Sequence, residues 1–402
     1  MRWTTAGESH GPELIALLEG LPAGLPLDLD RLQEGMGRRW LAFGRGPRAR
    51  FESDQVRVLG GTKRGLCLGT PLALSISNGD TRIDELPNLR APRPGHADLA
   101  GALRLRCRDL RAVLERASAR ETAARTALGL VAEQLLERFG IRTCAFVTAI
   151  AGIEAGEAPE DPGELQRLRD ASPFFSVDPG ADEAWRRRIE QAREAGDSLG
   201  GVFEVRAWGL PPGLGGYAQV SDRLDARLMA ALATIPAIRG VEIGLGFGAA
   251  AAAGSAYHDA VVLDPEGWAG LGRQGNRAGG VEGGLSNGQP VVLRAAMKPI
   301  PTLRQGLPSV ALSEMREERA TYERSDVCSV SAASVAGQAV VALELASALR
   351  ARLGGVSLAE MLERFPAPGR ERAPAAWPRD LGGVAGPQPP PLARPPGSPV
   401  SP

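Results

Sequence analysis

Two periodicities alternate along this 402-residue chain. Short apolar runs bounded by glycine, proline and polar turn residues predict strands at Arg2 to Thr5, Leu14 to Leu18, Gln55 to Leu59, Pro71 to Ile76 and Val202 to Gly209, and in VVLRAAMKPIPT from Val291. Helical spacing takes over from Leu32 to Trp40 behind a capping aspartate (Asp28 or Asp30). It returns across Asp109 to Phe139, from Asp222 to Leu232 and from Ala332 to Arg352. Inside the second of these, Ser118-Ala119-Arg120-Glu121 has the S-x-x-E form of a capping box, which predicts a fresh helix start. Leu128, Val131, Leu135 and Phe139 then fall on one face, and Gly140 stops the helix.

Gly20-Leu21-Pro22-Ala23-Gly24-Leu25 echoes Gly209-Leu210-Pro211-Pro212-Gly213-Leu214. Each copy follows a strand and precedes a helix expected to be aspartate-capped, so two related halves are expected. From Pro366 onward the chain is rich in proline, glycine and alanine. The expectation is a single catalytic domain over residues 1–365 and a disordered tail over 366–402.

Charge is balanced, 47 basic against 47 acidic residues, and only 4% of the chain is aromatic. That disfavours a nucleic-acid or membrane-surface binder, and an RNA module in particular. Four cysteines lie far apart with no C-x-x-C; neither a disulfide framework nor a metal site is indicated, and a reducing cytoplasm is expected. The N-terminus has no basic-then-apolar signal segment. Gly244 to Val262, read as the most apolar stretch, is interrupted by His258 and Asp259 and is too short to span a membrane.

The candidate chemistry starts with three histidines. His10 lies in Gly7-Glu8-Ser9-His10-Gly11 and His96 in Pro92-Arg93-Pro94-Gly95-His96-Ala97-Asp98, both glycine-flanked loops. Each either packs a turn or moves a proton near neutral pH, and two of three in such loops favour function. His258, in YHDAVVL, is read as a packing residue. GESHG also fits the G-x-S-x-G nucleophile elbow of a serine hydrolase, with Ser9 as nucleophile. An elbow needs earlier strands and an oxyanion loop, and only six residues precede Gly7.

Arginines gather at Arg38, Arg39, Arg45, Arg48 and Arg50, at Arg90 and Arg93, and at Arg116, Arg120 and Arg125. Guanidinium forks match carboxylates and phosphates, although many arginines in such a chain are solvated surface. Against this habit only Lys63 and Lys298 are lysines. Lys298 is therefore either a site ammonium or a chance retention. The six glycines of GNRAGGVEGGLSNGQP permit close approach of a ligand, or form a flexible loop.

TAGESHG, GRGPR, PRPGHADL, ERASARETAAR, GDSLGG, RGVEIGLGF, GGVEGGLSNGQP, MKPIPT and ERSD occur in this order up to about Leu362. In these motifs the chain resembles the chorismate synthases. The resemblance implies an α+β fold, long helices sandwiched between antiparallel sheets with internal pseudo-twofold symmetry, assembled as a homotetramer. It implies an anti 1,4-elimination that turns 5-enolpyruvylshikimate 3-phosphate into chorismate and phosphate, with reduced FMN required and no net redox change.

By the same resemblance, His10 protonates the leaving phosphate and His96 steadies the reduced flavin near N1. Asp326 helps remove the C6 proton, with Ser9 and Ser118 relaying hydrogen bonds. Arg39, Arg45, Arg48 and Arg93 would hold substrate (or NADPH as flavin reductant). The FMN contacts would be Arg116, Ala117, Ser118, Pro236, Ala237, Gly283, Lys298, Pro299, Ile300, Pro301, Thr302 and Arg324. The family commonly has serine at Ala117, asparagine at Pro236 and proline at Val327. Relatives that reduce their own flavin carry insertions not seen in this chain, so reduced FMN is expected from outside.

Overall fold

The computed structural model describes residues 1–46, 52–323 and 325–366, together with 374 and 377. Arg48, Arg324 and nearly all of the 366–402 tail lie outside the described residues. In the first half, β1 (Arg2–Ala6) and β2 (Glu13–Glu19) form a hairpin that leads to α1 (Leu29–Leu41). Then β3 (Val56–Gly60) and β4 (Leu72–Ser77) complete an antiparallel sheet of order β1-β2-β4-β3. Leu14, Ala16 and Leu18 alternate with more exposed positions on β2, and with Leu72, Leu74 and Ile76 they turn one face of the sheet inward. A long connection carrying α2 (Asp98–Leu105) and α3 (Arg111–Ala117) ends in α4 (Thr122–Glu137).

The second half contains β5 (Arg142–Ile150), β6 (Ile153–Glu154), α5 (Pro162–Ala171), α6 (Pro179–Ala195) and β7 (Gly201–Trp208). It continues through α7 (Leu224–Ala233), β8 (Ile238–Ile243), β9 (Val291–Met297) and α8 (Val330–Leu353). Its antiparallel order is β8-β9-β7-β5-β6. Read from its other edge, the first sheet is β3-β4-β2-β1, so β8, β9, β7 and β5 repeat it. The echoed hexapeptides hold equivalent places after β2 and β7. Their glycines share the left-handed region (φ 92° and 77°, then 82° and 84°), and Leu21, Leu25, Leu210 and Leu214 are all buried.

α4 packs on the first sheet, α8 on the second, and the two helices pack on each other, which gives the expected sandwich. Their crossing needs glycine: a Cβ on Gly129 would lie 2.3 Å from the Ala339 Cβ. Gln338 fastens the layers, accepting from Ala145 N and donating to the buried Glu133, both at 2.9 Å.

Three local expectations are corrected. Ser118 accepts from Arg120 N and opens a 3₁₀ turn (Ala119–Glu121), while the Glu121 carboxylate pairs with Arg125 at 2.6 Å instead of closing a capping box. The guanidinium is the stronger partner. The second echoed helix is not aspartate-capped, because Asp222 lies in a preceding turn and Arg223 is the N-cap with no side-chain bond. The most apolar stretch was expected at 244–262, but among the described residues it is α8 that is long and apolar enough to cross a membrane, and 83% of its most apolar window is buried inside the chain.

Candidate active site

At Gly7 the chain leaves β1 with φ 103°, and a Cβ there would lie 2.5 Å from the Glu13 carbonyl oxygen, so glycine is required for this turn. The turn lays Ser9 and His10 on α3. Ser9 N donates to the Glu115 carbonyl at 2.9 Å, and His10 N donates to Glu115 Oε2 at 2.9 Å. His10 Nδ1 lies 3.1 and 3.0 Å from the two Glu115 carboxylate oxygens. Arg111 Nη1 donates to Glu115 Oε1 and its Nη2 to Glu323 Oε1, both at 3.1 Å. Burial pushes the Glu115 carboxyl up, but hydrogen bonds and charge from His10, with Arg111 behind, outweigh burial and hold it below its ordinary range. Ser118 Oγ donates to Ser9 Oγ at 3.2 Å. Arg116, which precedes Ala117, ties the turn down through the Gly7 and Thr5 carbonyls at 3.0 and 2.9 Å.

His96 is held the same way. Its Nδ1 lies 2.5 Å from Asp98 Oδ1, and Asp98 also accepts from Arg93 Nε at 2.8 Å and Nη2 at 3.0 Å. Burial opposes ionisation of Asp98, yet the His96 and Arg93 bonds hold its carboxyl well below the usual range. Arg93 Nη1 reaches Thr302 Oγ1 at 3.2 Å. Lys298 Nζ donates to the Gly95 carbonyl at 2.7 Å, next to His96, and its backbone N donates to the Ala237 carbonyl at 3.0 Å. Burial, then the charge of Arg239, lower the Lys298 pKa. Ser198 Oγ donates to the Ile300 carbonyl at 2.6 Å, and the Pro301 ring lies beside Gly95. The segment Lys298, Pro299, Ile300, Pro301, Thr302 thus runs along the His96 loop. Pro236 leads into Ala237, whose φ of 71° is unusual for a residue with a side chain.

Asp326 accepts from the Arg45 guanidinium, from Gly46 N at 2.6 Å and from Ser329 Oγ at 2.5 Å. A Cβ on Gly46 would sit 2.8 Å from the Ser325 carbonyl oxygen, so this approach also requires glycine. Val327 N donates to the Gly44 carbonyl at 3.0 Å, a bond that proline lacks. Arg45 stacks on Trp40 at 4.9 Å. Arg39, buried against Asp54 (2.7 Å) and Thr122 (3.1 Å), has its pKa lowered to about 10, chiefly by desolvation. Arg39 Nε, Trp40 Nε1 and Arg45 Nε are buried donors without a hydrogen-bond acceptor among the described residues. Each such group typically costs about 1–3 kcal/mol, which an acceptor-rich ligand would relieve.

One short segment joins these groups. Glu323 binds Arg111 below His10, Ser325 Oγ reaches the Thr302 carbonyl at 3.4 Å, and Asp326 binds Arg45. Gly283 is not drawn in: it lies on the hairpin Val281–Glu282/Leu285–Ser286, whose neighbours include Leu214, Gly215, Arg223, Leu224 and Arg273. The sequence reading missed Glu115, Arg111, Asp98 and Trp40. Asp98 lies two residues from His96, so a search for carboxylates beside each histidine finds that one. Arg111 and Glu115 stand at i and i+4 of a helix, but Glu115 is 105 residues from His10 and no local signal links the two. The hydrolase reading has no support: β1 is an edge strand, and GESHG turns into β2, strand to strand, where an elbow runs strand to helix.

A duplicated α+β sandwich whose seam gathers carboxylate-held histidines, a lysine and unpaired arginine donors has the character of a lyase that moves protons beside an anion. The family model described as chorismate synthase matches residues 1–349. The chain is 49% identical to the chorismate synthase of Desulforudis audaxviator, over 90% of this chain and 96% of that one. It is 48% identical to that of Desulforamulus reducens, over 91% and 97%. A crystal structure of chorismate synthase superposes with a TM-score of 0.74 at 38% identity, covering 90% of this chain and 96% of that one. The chain belongs to the chorismate synthase family, carbon–oxygen lyases acting on a phosphate-bearing substrate.

Proposed function

We propose that this chain performs the anti 1,4-elimination of phosphate from 5-enolpyruvylshikimate 3-phosphate to give chorismate, with reduced FMN bound beside Lys298. The observation that carries the reading is the convergence of Glu323, Ser325 and Asp326 on three sides of the site. Glu323 accepts from Arg111, which braces the Glu115–His10 pair, Ser325 reaches Thr302, which accepts from Arg93 of the His96 loop, and Asp326 accepts from Arg45. The residues fit such ligands: a half-buried ammonium beside His96, a left-handed backbone at Ala237, and buried donors at Arg39, Trp40 and Arg45 that lack acceptors.

When bound, reduced FMN supplies electron density to the substrate ring as phosphate departs. The other steps belong to the chain. His10, bound to Glu115 through Nδ1, presents Nε2 and gives its proton to the leaving phosphate oxygen. Arg45 leaves Asp326 for a substrate anion, and the freed carboxylate takes the C6 proton. Arg39, Arg48 and Arg93 complete the anion partners. His96 holds a proton at Nε2 towards the flavin, and Ser9 and Ser118 pass hydrogen bonds between the two sides. We assign the FMN contacts to Arg116 to Ser118, Pro236 and Ala237, Lys298 to Thr302, and Arg324, leaving out Gly283 on its separate hairpin.

Exposed Tyr217, Val220, Phe247 and Leu263 in the second half are compatible with burial between copies of the chain, and the homotetramer rests on the family resemblance. We place the enzyme in the cytoplasm, supplied with FMN already reduced. The test is an anaerobic assay with the enolpyruvyl phosphate substrate and dithionite-reduced FMN, following chorismate. Absence of chorismate from folded protein overturns the reading; NADPH with oxidised FMN in the same assay tests the external supply.

A further inference from the structure

We infer that Glu115 is a positioning residue that fixes His10 as the Nδ1–H tautomer, so that Nε2 alone exchanges its proton with the reacting phosphate. The inference deepens the proposed elimination and rests on that reading for its kinetic part. It comes from a count of donors. The Glu115 carboxylate, 4% exposed, receives His10 N on Oε2 and Arg111 Nη1 on Oε1, and His10 Nδ1 lies within 3.1 Å of both oxygens.

A carboxylate beside a buried guanidinium is an acceptor only. Nδ1 must therefore carry a proton in the neutral as well as the charged ring, and the second nitrogen is left as the exchanging one. The hydrogen bonds that hold Glu115 below the ordinary glutamate range keep it ionised at neutral pH, in agreement with that count.

Arg111 also reaches Glu323, three residues before Asp326, so the same brace links the proton-donating turn to the proton-accepting segment. At His96 a carboxylate also faces Nδ1, and Asp98 accepts from Arg93 Nε, Arg93 Nη2 and the Arg93 backbone N, but Arg93 Nη2 lies 3.1 Å from His96 Nδ1 as well, a contact without a counterpart at His10. Glutamine at 115 cannot satisfy these partners, because its amide NH₂ must face either Arg111 or His10.

The test uses the full chain labelled with ¹⁵N-histidine, whose three histidines give few signals, assigned by replacing His96 and His258 one at a time with glutamine. Wild type, Glu115→Asp, Glu115→Gln and Glu115→Ala are compared for tautomer without ligands, and for kcat and KM with reduced FMN. Wild-type neutral His10 is expected in the Nδ1–H form, with Glu115→Asp retaining most of it. Glu115→Gln and Glu115→Ala shift it towards Nε2–H and lower kcat on the order of 10²–10⁴-fold with little change in KM. Glu115→Gln, nearly isosteric, covers the case in which the alanine variant does not fold.

A wild-type His10 protonated mainly at Nε2 overturns the inference. So does a kcat loss without a tautomer shift, or a shift without a kcat loss. If wild type makes no chorismate, the proposed function fails, while the tautomer comparison still decides what Glu115 does to His10.

Discussion

The two halves of this molecule share a strand order, a hexapeptide turn and a central helix, yet they carry different chemistry. In each half a long connection leaves the second strand of the matched order, β4 or β9, and returns through α4 or α8. These two connections meet. Leu312 N donates to the Arg90 carbonyl (3.1 Å) and Ser309 Oγ to the Pro92 carbonyl (2.6 Å), while Lys298, Thr302 and Glu323 face Gly95, Arg93 and Arg111. Duplication thus puts two equivalent loops at one seam, and divergence gives His96 to one and Lys298 and Asp326 to the other. The tight β1–β2 turn adds His10. Its counterpart between β5 and β7 has grown to hold α5 and α6, and its end buttresses the seam through Ser198 and Leu199.

If His10 of the first half donates the proton to phosphate while Lys298 of the second half holds the cofactor, mutations of the two should separate these roles. His10→Ala should have the largest effect, lowering turnover about 10²–10⁴-fold, the usual worth of a general acid, with FMN affinity nearly unchanged. Equal turnover in folded protein would return His10 to a turn-packing role. Lys298→Arg should follow, costing on the order of 10²-fold in rate through a displaced ligand and, unlike His10→Ala, weakening FMN binding. The planar guanidinium is a poor replacement for an ammonium that fits under the Gly95 carbonyl beside two prolines. Titration of FMN with substrate present, on both variants, decides whether His10 and Lys298 divide the work this way.

Much of the scaffold was legible because β2, β9 and α4 obey simple periodicities, and GLPAGL and GLPPGL repeat where the fold repeats. The lysine bias pointed to Lys298, and the structure sets its ammonium on the His96 loop. Less visible were features decided by tertiary competition. Glu121 was drawn to Arg125, and Arg223 took the capping place expected of Asp222. Glu115 was hidden for a related reason: it could have faced solvent, and only the packing of the β1–β2 turn on α3 sets it under His10.

The halves should also separate in stability. The α4–α8 crossing belongs to both, and Gly129 leaves no room for a methyl group against Ala339. Gly129→Ala should cost about 1–3 kcal/mol by overpacking, read as a lower urea midpoint, while turnover well below the transition stays at the wild-type level. An unchanged midpoint would mean that the two layers slide freely and that the crossing is not a fixed joint.

The smallest effects test how far the duplicated helices remain equivalent. α1 follows the first hexapeptide and is capped by Asp28, whose Oδ1 accepts from Arg31 N at 3.0 Å. The Asp28 backbone is gripped separately by Gln134, at 2.8 and 2.9 Å, so removing its side chain leaves the chain path in place and isolates the cap. Asp28→Ala should therefore cost about 1 kcal/mol. α7 follows the second hexapeptide, but its N-cap Arg223 makes no capping bond and only pairs with Asp225, in a side chain 40% exposed. A pair so open to solvent is worth little, so Arg223→Ala should cost no more than about 0.5 kcal/mol. Urea midpoints of the two variants, with chorismate formation as the control for an intact site, make the comparison. Equal losses would mean that α7 is held at its start as firmly as α1, by contacts other than a cap. A clear gap would show that the second copy has lost its cap and is stabilised by packing alone.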